Sequence, residues 1–180
     1  MIKKYIKYTL KNLFKKPSDA TVMLSSNVSQ DSIVGDYTYI GFNCFVTKAE
    51  IGRYCSIANN VSIGLGEHDL NRVSTSSYFY DNAYEKLTEK KCIVGNDVWI
   101  GVDSIIRRGV NVGNGAVIGA NSFVNEDVPD FAIVAGNPAK VIKYRFTPEQ
   151  VQKINNSKWW LLSLTEAKKV ISNIQVQKES

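Results

Sequence analysis

The chain has 180 residues, 44% hydrophobic and 22% charged, the proportions of one ordinary soluble domain, and no apolar run approaches the length of a membrane span. Its formal charge of +5 is concentrated in residues 1–16, whose six lysines stand without an acid and, set against the whole, leave the remaining body at −1. A near-neutral body excludes the basic face of a nucleic-acid-binding domain.

Residues 1–16, MIKKYIKYTLKNLFKK, read as a short amphipathic helix. Ile2, Tyr5, Ile6, Leu10, Leu13 and Phe14 take one face, the lysines take the other, and Pro17 follows. The segment lacks the continuous apolar core of a signal peptide. It suits a cap over the open end of a solenoid or weak contact with an anionic membrane surface.

From Val22 a period of six begins. Val22, Val28, Val34, Ile40 and Val46 keep phase, one residue is then missing, and Ile51, Ile57 and Ile63 continue it. Further on, Val94, Ile100, Ile106, Val112, Ile118 and Val124 take it up again. A second slot, four residues after the aliphatic, is small or β-branched: Ser26, Ser32, Thr38, Cys44, Cys55, Val61, Val98, Ser104, Val110, Ala116 and Ser122, with Cys92 in the same slot before Val94. This period fits neither an amphipathic helix nor an alternating strand. It predicts a mainly β fold, a parallel β-helix with one strand and one corner per six residues. The residue after the aliphatic is often Gly (Gly95, Gly101, Gly113, Gly119), read as a corner that turns without steric cost. The exceptions Arg107 and Asn125 stand eighteen residues apart, which implies three sides per coil and a triangular prism. The two blocks cover 22–64 and 92–135.

The three cysteines all fall in the small slot. Their number is odd and their spacing is not that of metal ligands, so they read as packing residues of a reduced, cytosolic chain.

Residues 65–91, LGEHDLNRVSTSSYFYDNAYEKLTEKK, break the period and are expected to leave the wall of the prism as an ordered loop, given Tyr78, Phe79, Tyr80 and Tyr84. His68, the only histidine, lies here between Glu67 and Asp69. A single imidazole excludes a three-histidine metal site and suits general-base work near neutral pH. No nucleophile elbow or phosphate-binding loop is present.

After the second block, Pro129 and Pro138 bracket an extended FAIVAG segment. Thr147-Pro148-Glu149-Gln150 is a capping box, and Ser163 with Glu166 suggests another. Two short helices follow, at 148–156 and 164–174, with Trp159 and Trp160 packing them onto the prism or a neighbouring subunit. The domain plan is thus a helix or cap (1–16), a β-helix (17–146) with its loop, and a helical appendage (147–180).

Three stretches carry a family resemblance: IVGNDVWIG (93–101), FAIVAGNPAKVIKYRF (131–146), and EHDLNRVSTSSYFY (67–80) with KWWLLSLTEAKKVI (158–171). The chain resembles the hexapeptide-repeat acyltransferases, specifically the branch of xenobiotic (chloramphenicol- and streptogramin-type) and polysaccharide O-acetyltransferases. The resemblance implies a left-handed coil, a homotrimer with active sites between subunits, and acetyl-CoA as co-substrate without a metal. It implies His68 as the general base that deprotonates the acceptor hydroxyl for direct attack on the thioester. It places Trp99, Gly101, Val102, Ala120, Asn125, Lys140 and Lys143 along coenzyme A, the two lysines near its phosphates. Glu126 departs from the lysine common at its position. Candidates for contact with the acceptor are Tyr37, Glu67, Arg72 and Tyr78, with Tyr39 and Tyr80 beside them.

Read this way, the chain is a cytoplasmic carbohydrate O-acetyltransferase for a surface-polysaccharide unit or precursor, the cues being a loop shorter than in drug-modifying relatives and a basic arm suited to polysaccharide assembly at the inner face of the membrane. The alternatives are an antibiotic acetyltransferase, an N-acetyltransferase for an amino-sugar nucleotide, and a non-catalytic β-helix scaffold.

Overall fold

The computed structural model describes residues 19–174; the amphipathic helix expected over 1–16 lies outside them. Among the described residues no helix is long and apolar enough to cross a membrane.

The chain winds as five coils of short strands. The first carries β1 (Thr21–Val22), β2 (Asn27–Val28) and β3 (Ile33–Val34), and the second β4 (Tyr39–Ile40), β5 (Phe45–Val46) and β6 (Glu50–Ile51). The third carries β7 (Ser56–Ile57), β8 (Ser62–Ile63) and, beyond the loop, β9 (Ile93–Val94). The fourth is β10 (Trp99–Ile100), β11 (Ile105–Ile106) and β12 (Asn111–Val112). The fifth is β13 (Val117–Ile118) and β14 (Phe123–Val124), closed by a bridge from Val128 to Val112. Then β15 (Ala132–Gly136) stacks on β13 and folds back as the antiparallel β16 (Ala139–Tyr144).

Every third strand stacks in parallel. The first face runs β1-β4-β7-β10-β13-β15-β16, the second β2-β5-β8-β11-β14, and the third β3-β6-β9-β12. The register advances by eighteen residues, Trp99 lying on Val117 and Ile105 on Phe123, as three sides per coil require. Tyr39 on Ser56 is one residue short, which absorbs the phase skip before Ile51. The fold is a left-handed parallel β-helix.

In most strands the first residue faces out and the second inward. Ile40, Ile57, Ile100 and Ile118 line the first face from within, Val46, Ile63, Ile106 and Val124 the second, and all are at most 1% exposed. Each such side chain contributes on the order of 1.5–3 kcal/mol by leaving water. The small slot does more than save space. Thr38 Oγ1 donates to the Gly52 carbonyl (2.8 Å), Cys44 Sγ to that of Ala58 (3.0 Å), Cys55 Sγ to that of Gly95 (3.1 Å) and Ser104 Oγ to that of Gly119 (3.0 Å). These bonds tie one coil to the corner of the next.

The expected role of the repeat glycines needs correction. Gly52, Gly95, Gly101, Gly113 and Gly119 are not among the residues with positive φ. They are required by close approach: a Cβ on Gly52 would meet the Gly95 carbonyl oxygen at 2.5 Å, and one on Gly101 the Ala120 nitrogen at 2.6 Å. The left-handed residue stands two places later, at Asn43, Tyr54, Asp97, Asp103 and Asn121. Asn and Asp tolerate that region; Tyr does so only with support.

That support comes from the C-terminal helices. The loop contributes α1 (Ala83–Leu87), and the appendage contributes α2 (Pro148–Ser157) and α3 (Leu164–Ile174). The Thr147 box is formed in both directions, and Ser163 and Glu166 exchange hydrogen bonds at the start of α3. Buried Trp159 and Trp160 join Phe131, Ile154 and Ala167 in a second apolar cluster. Trp159 lies 5.1 Å from Tyr54, which stacks on Tyr37 at 4.8 Å, so the helices cover the corner where bulky residues hold positive φ.

Candidate active site

The three corners of the prism carry different residues. The corner between the first and second faces holds Gly101, Val102 and Ala120. The corner between the second and third holds Arg107, Arg108 and Asn125, and the loop leaves and returns there. The corner between the third face and the next coil holds Tyr37, Tyr54 and Asp97.

The loop is tied down at several points. Glu67 accepts two hydrogen bonds from Arg107, from Nε at 2.6 Å and from Nη2 at 2.7 Å, and its own N–H donates to the Leu87 carbonyl at 2.8 Å. Tyr84 Oη donates to Asp31 at 2.9 Å, and Lys48 pairs with Glu85 at 2.6 Å, so α1 is held to the first two coils. Burial and the Asp31 carboxylate together push the Tyr84 phenol up.

His68 is exposed, one residue beyond that Arg107 pair. Its Nδ1 hydrogen-bonds the Thr75 carbonyl. A carbonyl can only accept, so in the neutral ring Nδ1 carries the proton and Nε2 holds the free lone pair. The Tyr80 ring stands edge-on at 6.1 Å. Tyr80 is fixed in turn, its hydroxyl accepting from the Asp69 N–H at 2.8 Å and its face covered by Arg72 at 4.3 Å. Arg72 also donates to the Phe79 carbonyl at 2.7 Å. The imidazole is therefore held in one tautomer, with one nitrogen available for a proton.

The other expected residues divide by location. Trp99 points outward from the first face, 57% exposed, with Ser56 and Val117 in register on either side. Gly101 and Ala120 stack in adjacent coils. The side-chain oxygen of Asn125 is buried without a hydrogen-bond partner. Lys140 and Lys143 are exposed on β16, but Lys140 is paired with Glu126 at 3.1 Å, which reduces the positive field at that point. Glu67 and Arg72 are occupied in holding the loop. Tyr78 is 96% exposed at its surface. Tyr37 packs on Tyr54 at a different corner from the one the loop leaves.

Within one chain the loop and Asn125 lie at one end of the second face and Gly101, Val102 and Ala120 at the other, with Trp99, Lys140 and Lys143 on the first-face sheet and Tyr37 at the third corner. Two cavities touch this set only at Lys140. One of about 100 Å³ lies between Val124, Val134 and Lys140, and one of about 370 Å³ is lined by Phe131, Phe146, Ile154, Trp159 and Ile171, with Asp97 and Arg145. Burial raises the Asp97 carboxyl against the opposing pull of Arg145, 3.4 Å away.

Arg108 did not stand out in the sequence. Its guanidinium is buried at 4% exposure among the carbonyls of Thr47, Lys48, Gly64 and Lys90. Burial lowers its pKa from the ordinary arginine value. The available signal was two consecutive arginines at a corner whose first position is Ser29, Thr47, Gly64 or Asn125 in the other coils.

Comparison with known proteins agrees with this geometry. The family described as Bacterial transferase hexapeptide (six repeats) matches residues 91–126. The chain is 38% identical to a chloramphenicol acetyltransferase of Klebsiella aerogenes over 68% of its length, although it spans only 64% of that relative. It is 32% identical to a chloramphenicol acetyltransferase of Agrobacterium fabrum, over 84% of this chain and 85% of that one. It is 33% identical to a probable macrolide acetyltransferase of Lysinibacillus sphaericus, over 81% and 83%. Among solved structures, a hexapeptide-repeat acetyltransferase of Vibrio cholerae complexed with acetyl coenzyme A superimposes with a TM-score of 0.56 at 25% identity, covering 80% of this chain and 79% of that one.

Proposed function

The chain belongs to the hexapeptide-repeat acyltransferases, and from that premise we propose that it is an acetyl-CoA-dependent O-acetyltransferase acting on a hydroxyl of a small acceptor, with amphenicol- or macrolide-type antibiotics first among the candidates. The observation that carries the chemistry is the His68 ring, held at Nδ1 by the Thr75 carbonyl, which leaves Nε2 as the unprotonated nitrogen of the neutral ring. That nitrogen takes the acceptor's hydroxyl proton and holds it for the departing thiol. Acetyl-CoA supplies the activated acetyl group, so the protein needs no nucleophile of its own. Trp99, Gly101, Val102, Ala120 and Asn125 are the residues to hold the donor, with Lys140 and Lys143 toward its phosphates.

The separation of the loop from the Gly101 corner supports a site completed by a second copy, with one copy's loop reaching the donor residues of the next in a homotrimer. The carbohydrate acceptor expected from the sequence takes second place. Its support was the short loop and the basic arm, whereas relatives matched over four-fifths of the chain are named for antibiotics.

The test is acetyl-CoA consumption, read as thiol release, with chloramphenicol, a macrolide and a panel of saccharides. Wild type should turn over an antibiotic, and His68→Ala should lose roughly 10²–10⁴-fold in rate while still binding coenzyme A. Turnover of saccharides alone would reverse the order of acceptors. Undiminished turnover by His68→Ala would remove His68 as the base.

A further inference from the structure

We propose that Arg108 is the positioning residue of the His68 loop, a buried guanidinium that grips both legs of the loop and the coil beside it at one point. The reading rests on His68 as the base, but its structural half stands separately.

The loop opens at Leu65 and closes at Lys91, between two strands that continue the same prism. A segment of this length needs ordering, because closing its ends leaves the interior of the loop with most of its conformational freedom. Arg108 meets it at both ends. It donates to the carbonyl of Gly64, the last residue before the loop, and from Nη1 to that of Lys90, 3.1 Å away at the loop's return. It also donates to the carbonyls of Thr47 and, at 2.9 Å, Lys48, in the corner of the coil on the other side of Gly64. That corner is the one with the missing residue.

None of these partners is a carboxylate. Arg108 is therefore not half of an ion pair, and its contribution is geometric: a planar fork of donors that joins four backbone acceptors from three parts of the chain. Lysine offers a compact charge on a flexible stem and cannot span them. The neighbouring Arg107 grips the carboxylate of Glu67, the residue before His68. The pair thus divides the work, one arginine holding the backbone of the loop's legs and the other the side chain next to the base.

The experiment compares wild type with Arg108→Met, which keeps the apolar stem and removes all the donors. Hydrogen exchange should speed up at least tenfold at residues 65–91 and stay unchanged at 99–124, and coenzyme A affinity should stay within twofold. With the acceptor that wild type turns over, kcat should fall at least tenfold. A staple then separates positioning from general damage. A Cβ on Gly66 would lie 3.1 Å from the Leu87 Cβ, close to disulfide reach. In Gly66→Cys/Leu87→Cys/Arg108→Met, oxidation should recover most of the lost kcat and protection, and reduction should remove both again. If Arg108→Met does not fold, Arg108→Lys, which keeps the charge, is taken through the same steps.

Unchanged exchange in the loop, exchange raised uniformly through the prism, or kcat indifferent to the redox state of the staple would each overturn the proposal. The exchange measurement needs no acceptor. A failure of the His68 reading, seen as an active His68→Ala, is therefore distinguishable from a failure of the Arg108 clamp.

Discussion

Glu67 and Arg107 face each other in a two-pronged pair, Nε to Oε1 at 2.6 Å and Nη2 to Oε2 at 2.7 Å, that joins a corner of the fourth coil to the residue immediately before His68. Both side chains keep substantial solvent contact, Arg107 at 45% exposure and Glu67 at 35%, so water screens the pair and it adds little to stability. Its value lies in where it holds the chain.

Glu67→Gln should therefore leave the melting temperature close to that of wild type, as expected for a solvent-screened pair. Turnover should fall several-fold with little change in coenzyme A affinity. Steady-state kinetics beside a thermal melt checks this. Equal loss of turnover and stability would count against a positioning role.

The two kinds of glycine should respond differently to alanine. Gly52→Ala puts a Cβ 2.5 Å from a backbone oxygen that cannot move aside, and should cost on the order of 1–3 kcal/mol through overpacking. At Gly109, φ is +87° and the nearest atom is the flexible Lys90 side chain at 3.1 Å, so Gly109→Ala should cost roughly 1–2 kcal/mol as backbone strain. Replacing Gly109 by Asn, which tolerates positive φ, should recover part of that loss, whereas Gly52→Asn should be worse than Gly52→Ala. Denaturant melts of the four variants decide it.

The buried thiols make stability sensitive to alkali. Desolvation raises Cys55 and Cys92 to about 11 each, above an ordinary thiol. Between about pH 9 and 11 the unfolded chain loses those protons while the folded chain retains them, so stability falls as pH rises across that window, by on the order of 2–3 kcal/mol per thiol. Below pH 9 both states keep the proton and the effect vanishes. Cys55→Ser, with a hydroxyl of the kind Thr38 and Ser104 already use in this slot, should flatten part of the alkaline limb relative to wild type. At pH 8 thiol reagents should label the native protein slowly and the denatured protein at all three cysteines.

Trp159→Ala should remove the wall that Tyr54 leans on at 5.1 Å and cost about 3–5 kcal/mol, or roughly 10 °C in melting temperature. Trp159→Phe should cost about half as much. Tyrosine fluorescence at Tyr37 and Tyr54 would report the exposed corner. A Trp159→Ala variant as stable as wild type would mean that the helices do not support the left-handed tyrosines.

Much of the fold was legible because a solenoid writes its geometry locally. Each coil repeats one environment, so Ile100, Ile106 and Val112 announce three faces in thirteen consecutive residues, and Arg107 with Asn125 marks the number of sides. The capping box at Thr147 was equally local. The glycines were found but misread: the sequence marks where a side chain is forbidden, and only stacked coils show that the obstacle is the backbone next door. Of the candidate site, His68 stood out by being single and by lying where the period stops. The same reasoning could not see that Glu67 is engaged by Arg107, that Lys140 is paired with Glu126, or that Tyr37 faces Tyr54.

The six-residue pattern by itself determined the β-helix, its three sides, the position of the excursion at 65–91 and the slots of the cysteines, since all of these follow from contacts at a constant sequence separation. Tertiary structure alone decided the tautomer offered by His68, the carbonyl nest around Arg108 and the corner each candidate residue occupies. These depend on contacts between segments as far apart as Thr47, Gly64, Lys90 and Arg108, where no period relates the partners and only the folded chain brings the donors to their acceptors.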